Sequence, residues 1–195
     1  KAKLNLLNFS LSGLKEYCVA DGQPGYRATQ VIKWLHQEFV TDFDKMTNIS
    51  KTLRAELIEN FVTPDMNCSK ELISKDGTVK WLFQVDVKNQ IETVFIPEDG
   101  RGTLCLSSQA GCALACSFCA TGKLGLKKQL SVDEITDQVL YFLQQGQNIN
   151  SISFMGMGEP FANPKVFEAI KLLRDPNVFG ISARSLNVST IGLIP

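Results

Sequence analysis

Hydrophobic positions recur at helical spacing from about Leu4 to Asn60. Leu11, Leu14 and Cys18 form one stripe behind a capping Ser10 and stop at Asp21-Gly22. Val31, Trp34 and Leu35 form a second after Pro24-Gly25, and Leu53, Leu57 and Phe61 a third behind Ser50. The period then drops to two, with Val79, Trp81, Phe83, Val85 and Val87 alternating against more polar neighbours. Lys88-Asn89 turns the chain into Gln90 to Ile96, which predicts a hairpin. On the returning strand Glu92 shares a face with Val94 and Ile96, where a carboxylate is more often turned to solvent at a sheet edge than catalytic.

From Gly102 onward strands and helices alternate, the mark of a parallel α/β sheet or barrel. Thr103 to Ser107 predicts a short strand, and Ser131 with Glu134 a capping box for a helix carrying Val132, Ile135, Val139 and Phe142. A strand over Ser151 to Met155, a helix opened by Asn163-Pro164 and a strand over Leu186 to Thr190 follow. Three such strands cannot close a barrel. The pattern therefore predicts an α/β chain: a small helical domain over 1–62, a β-hairpin linker region over 63–100, and an incomplete (βα) barrel over 101–195.

Composition narrows the setting. At 195 residues and 44% hydrophobic content the chain can bury a core, and no apolar run is long enough to span a bilayer. Residues 1–10 lack the build of a signal peptide, so the six cysteines read as reduced thiols of a cytoplasmic protein. Twenty acids balance twenty bases, so a polyanionic partner must be met by local patches. One candidate is Lys123, Lys127 and Lys128, with no acid between Gly111 and Gln129, although lysines after a turn are more commonly a solvated loop.

The chemistry concentrates in Cys112-Ala-Leu-Ala-Cys116-Ser-Phe-Cys119. C-x3-C-x2-C spacing brings three thiolates round one loop, enough to hold three irons of a [4Fe-4S] cube and leave the fourth open to S-adenosylmethionine. Two other readings stay open: a structural zinc site recruiting Cys105 as fourth ligand, and a redox pair of Cys116 and Cys119. After the next strand, Gly156-Met-Gly158-Glu159-Pro160 offers close backbone approach and a carboxylate suited to the methionyl amine; a plain glycine turn is the alternative. Ser189, at the end of the third strand, reads either as a hydrogen-bonding group for the methionyl carboxylate or ribose, or as a serine serving local backbone.

Arg101-Gly-Thr-Leu-Cys105-Leu-Ser-Ser-Gln-Ala-Gly-Cys112, the cysteine run, Phe154-Met-Gly-Met-Gly-Glu-Pro160 and Val188-Ser-Thr190 together resemble the RlmN/Cfr family of radical-SAM adenosine methyltransferases. The likeness extends through Glu92-Thr-Val and Gly25-Tyr-Arg-Ala-Thr-Gln-Val. The resemblance implies a [4Fe-4S] cluster on Cys112, Cys116 and Cys119, and S-adenosylmethionine contacts from Gly158, Glu159 and Ser189. It further implies Glu92 as proton acceptor and Cys105 as resolving cysteine, the latter through a disulfide with a methyl-carrying cysteine. Its implied partners are 23S rRNA, tRNA and an electron donor such as flavodoxin, acting on a monomer whose helical domain assists RNA engagement.

In that family the methyl-carrying cysteine lies near the carboxyl terminus of a longer chain, and neither Cys18 nor Cys68 has a matching context. The expectation is thus a fragment unable to complete methyl transfer alone. Ala110 stands where Cfr-type chains tend to carry an extra cysteine, and Pro97-Glu-Asp-Gly-Arg-Gly-Thr resembles RlmN, favouring C2 methylation. Ser151-Ile-Ser-Phe-Met and Asp133 to Phe142 lean towards Cfr, which modifies C8 and confers antibiotic resistance. A zinc-binding RNA module is the non-enzymatic alternative.

Overall fold

The computed structural model describes residues 3–63 and 66–193. These divide into two compact units, residues 1–65 with 171–181, and residues 66–170 with 182–195.

In the first unit β1 (Leu4–Asn5) pairs in parallel with β2 (Phe61–Val62), and three helices lie between them: α1 (Leu11–Ala20), α2 (Tyr26–His36) and α3 (Lys51–Asn60). Ser10 and Ser50 cap α1 and α3 as their sequence positions predict, accepting from the N–H groups of Gly13 and Leu53. Leu14, Cys18, Val31, Leu35, Leu53, Leu57 and Phe61 are buried in one cluster that also takes in Val178. His36 is enclosed there edge-on to Phe179, at 4.6 Å between ring centroids. Neither of its ring nitrogens finds a partner, and burial lowers its pKa from 6.5 to about 4 against the opposing pull of Asp175.

The second unit is built on a six-stranded sheet. Its strands are β3 (Asn67–Ile73), β4 (Val79–Gln84), β5 (Gln90–Glu98), β6 (Arg101–Cys105), β9 (Ser151–Phe154) and β10 (Leu186–Val188). Their order is β10-β9-β6-β5-β4-β3: β3 through β6 run antiparallel to their neighbours, whereas β6, β9 and β10 are parallel. The region expected to be a separate hairpin linker is therefore the antiparallel half of the same sheet, extended by β3. A small ladder of β7 (Gln109–Ala110) with β8 (Lys128–Gln129) brackets the cysteine loop and the single-turn α4 (Ala120–Lys123).

One face of the sheet is covered by α5 (Val132–Gln144), opened by the Ser131–Glu134 capping box. Phe142 meets Trp81 at 4.5 Å and stacks on Phe95 at 6.1 Å, while Phe83 packs on Tyr141 at 4.8 Å. Ile91, Thr93 and Phe95 point to this buried side, and pleating therefore turns Glu92 and Val94 to the other. Glu92 sits on a central strand between β4 and β6, not at an edge. The last helix, α6 (Lys165–Arg174), begins in this unit and ends before Asp175-Pro176.

Candidate active site

The open face of the sheet can be read row by row from the pairing. One row runs Leu72, Lys80, Val94, Cys105, Ser153 and Asn187, and the adjacent one Lys70, Leu82 and Glu92. Cys105 and Glu92, thirteen positions apart on no obvious common motif, thus share one face, Cys105 being paired with the residue two beyond Glu92. Burial alone raises the Cys105 thiol above its ordinary pKa. The Glu92 carboxylate accepts from Lys80 Nζ at 3.1 Å, with both side chains nearly half exposed.

A buried polar network fixes the backbone that carries these groups. Ser107 Oγ donates to the Glu92 carbonyl at 2.6 Å and accepts from the Met157 N–H at 2.8 Å. Met157 Sδ in turn accepts from the Glu92 N–H at 3.4 Å. From α5 the Gln138 carboxamide accepts from the Ser107 N–H and the Thr93 hydroxyl at 2.9 and 2.8 Å, and donates to the Ser107 carbonyl at 3.0 Å. Asn163 Nδ2 ties the carbonyls of Ser108 and Leu130 at 2.8 Å each. Sequence reasoning missed Ser107, Gln109, Gln138 and Asn163; the one signal was a glutamine lying among the apolar positions of α5.

The glycine turn meets the root of the cysteine loop. The Glu159 N–H donates to Gln109 Oε1 at 2.8 Å, and Met157 O accepts from the N–H groups of Ser108 and Gln109. Gly158 has φ +101°, and a Cβ there would lie 2.6 Å from the Gln109 side chain, so no other residue fits. Gly111 has φ +78°, and a Cβ would collide with the Gly125 carbonyl. The Glu159 side chain is buried; it accepts from the Phe161 N–H at 3.2 Å, the Ile191 N–H at 3.2 Å and the Thr190 hydroxyl. β10 ends at Val188, and Ser189 is exposed, its N–H reaching the Phe154 carbonyl at 3.4 Å.

Cys112, Cys116 and Cys119 all fall on the loop between β7 and α4 as free thiols, Cys112 the most buried. The turn is closed by the Cys119 N–H on the Cys116 carbonyl at 3.0 Å, and Ala115 takes φ +48°, a strained conformation for a residue with a Cβ. Hydrogen bonding from Gly122, ahead of that from Thr121, lowers the Cys119 pKa and favours the thiolate. Among the described residues no group of three or more His, Cys, Asp or Glu side chains is gathered to hold a metal ion, either as three loop thiols or with Cys105 added. The donor chemistry nonetheless fits an iron–sulfur group: three unpaired thiols on one short loop, one of them biased towards its ionised form. Of the lysines that follow, Lys128 is committed to Glu134 at 2.6 Å and Asp86 at 3.2 Å. Burial is the largest single influence and works against its charge, but the hydrogen bonds and negative charges of Glu134 and Asp86 together outweigh it and the pKa is raised.

The family model described as the ribosomal RNA large subunit methyltransferase N-terminal domain matches residues 4–62, and the radical SAM superfamily model matches residues 106–195. The chain is 46% identical, over 98% of its length and 54% of the relative, to a dual-specificity RNA methyltransferase RlmN from Alkalilimnicola ehrlichii. It is 42% identical to a protein of the same name from Ruthia magnifica, over 99% of this chain and 56% of the other. A crystal structure of a radical SAM methyltransferase from Sphaerobacter thermophilus superposes with TM-score 0.89 at 38% identity, covering 97% of this chain and 57% of that one. The chain spans about half the length of the curated relatives it matches. Radical SAM membership implies S-adenosylmethionine and a [4Fe-4S] cluster as cofactors. Matched along nearly its whole length by RlmN sequences and a radical SAM fold, the chain belongs to the RlmN family of radical SAM proteins.

Proposed function

We propose that this chain supplies the cluster-holding and proton-handling portion of an RNA methyltransferase that adds a methyl group to C2 of an adenosine in 23S rRNA and in tRNA. The observation that carries the reading is the convergence of a three-thiol loop, the glycine turn bonded to its root, and a sheet face holding Glu92 and Cys105. Cys112, Cys116 and Cys119 hold the [4Fe-4S] cluster. When bound, that cluster supplies the electron that cleaves S-adenosylmethionine to a 5′-deoxyadenosyl radical.

The backbone at Gly158 gives the methionyl group close access. Glu159 has three donors on a carboxylate with about four lone-pair directions, leaving one on Oε2 for the methionyl ammonium. Ser189, exposed past the end of β10, offers its hydroxyl to the same ligand. Adenine C2 is electron-poor and a weak nucleophile, so direct transfer from a sulfonium is replaced by a methylene carried on a cysteine thioether. Glu92 takes the C2 proton; the Cys105 sulfur then bonds to the sulfur of the carrier cysteine as that cysteine's S–C bond breaks with its electron pair going to the methylene carbon, which takes up the Cys105 thiol proton to become the methyl group and leaves a disulfide. The raised Cys105 pKa keeps that thiol protonated until it is needed. Reducing equivalents come from a low-potential protein such as flavodoxin, and the enzyme works as a cytoplasmic monomer. Among the described residues no helix is long and apolar enough to cross a membrane.

The C2 position is favoured over C8 because the relatives of highest similarity reported above carry the RlmN name. The test is anaerobic reconstitution with iron and sulfide followed by dithionite and S-adenosylmethionine. Formation of 5′-deoxyadenosine is expected; a reconstituted chain that yields none overturns the proposal.

A further inference from the structure

Beside Glu92 the open sheet face is concave. Lys70, Leu72, Lys80, Leu82 and Glu92 line a groove of about 180 Å³. Strand pairing puts Lys70 opposite Leu82 and Lys80 opposite Leu72, so two leucines form its floor and two ammonium groups stand across them. Against these two cations the groove carries one carboxylate, already paired with Lys80. The groove therefore retains net positive charge, all of it adjacent to the candidate base. Its volume is below the roughly 300 Å³ at which pockets for whole drug-sized ligands begin, which suits one sugar–phosphate unit and not a complete nucleotide.

We propose that this groove seats the RNA backbone next to the target adenosine, with Lys70 and Lys80 contacting phosphate and Leu72 and Leu82 packing on the sugar. The inference rests on the RNA-methylating reading above and adds to it the surface that holds the substrate strand. In the free protein Glu92 serves as an internal counter-ion for Lys80. An incoming phosphate competes for that ammonium and leaves the Glu92 carboxylate to face the base. Phosphate contacts of this kind position the strand without reading its sequence.

The experiment is fluorescence anisotropy with the chain itself and a labelled adenosine-containing RNA stem-loop, titrated across a series of salt concentrations. Lys70→Met and Lys80→Met are each expected to weaken binding several-fold and to reduce the salt-dependence slope by about 0.7, the loss of one phosphate contact to single-stranded RNA. Lys80→Arg should retain most of the slope. Glu92→Gln should tighten binding by removing the competing carboxylate. Lys165→Met, which removes a charge paired with Glu168 on α6, is the control and should leave the slope unchanged. If the groove variants behave like this control while the wild type binds, the groove proposal is overturned and the enzymatic reading stands. If the wild type shows no salt-dependent RNA binding at all, the RNA reading itself fails. Circular dichroism of each variant verifies that the sheet is intact.

Discussion

Gln138 is the one side chain that joins α5, β5 and the strand-to-loop junction at Ser107, and its removal gives a quantitative test of how the site is held. Gln138→Leu keeps the volume roughly constant but leaves the Ser107 N–H and the Thr93 hydroxyl, both fully buried, without the acceptor they share. A buried donor stripped of its partner costs about 1–3 kcal/mol; two in the lower half of that range give about 3 kcal/mol. With a urea dependence of about 2 kcal/mol/M for a unit of this size, the midpoint should fall by about 1.5 M. Trp34 lies in the helical unit and Trp81 in the sheet unit, so a Trp34→Phe background reports sheet unfolding through Trp81 fluorescence alone. The same variant should lose register between Glu92 and the glycine turn, seen as shifts in backbone amide resonances at Glu92 and Met157. A midpoint change below about 0.3 M would refute the reasoning, because it would mean that the network contributes no net stability.

Two further outcomes are expected. The folded-state pKa of His36 lies below its unfolded value, so between pH 6.5 and about 4 the unfolded chain binds a proton that the folded helical unit cannot. Its stability should therefore decline by about 3 kcal/mol as pH falls through that window, and His36→Leu should flatten that portion of a pH–stability curve read from Trp34 emission. Gly158→Ala must force a Cβ against Gln109 at a positive φ, so the melting temperature should drop by an amount equivalent to about 2 kcal/mol, measured by calorimetry.

The helices were legible because caps and apolar spacing agreed: Ser10, Ser50 and Ser131 start α1, α3 and α5 where their hydroxyls and the following stripes predict. The alternation from Val79 matched β4 only as far as Gln84: Val85 and Val87 lie beyond the strand, Val87 exposed in a turn where Asp86 accepts from the Lys88 and Asn89 N–H groups, and β5 then starts at Gln90 as the hairpin predicts. Strand β3 was not legible, since Asn67 to Ile73 is mostly exposed and shows no period; its edge position makes few demands on side-chain polarity. The pattern grouped Glu92 correctly with Val94 and Ile96, but took that as the apolar face. The core instead selects Ile91, Thr93 and Phe95, because Trp81, Phe83 and Phe142 lie on that side. The cysteine and glycine motifs were legible as chemistry. Their junction was not: it depends on Gln109, Gln138 and Asn163 bonding to backbone groups at long range, which leaves no local signature. Glu159 was read as a ligand group, and its three internal donors became visible only in the fold.

The central claim is that three thiols of one loop grip an iron–sulfur cube. Iron and acid-labile sulfide should be counted after anaerobic loading of the wild type and of the Cys112→Ala/Cys116→Ala/Cys119→Ala variant, alongside the visible spectrum. About four irons and four sulfides per wild-type chain with a broad brown absorption, all lost in the variant, is the predicted result. Equal iron in the two proteins, or a colourless wild type that takes up zinc instead, would contradict it.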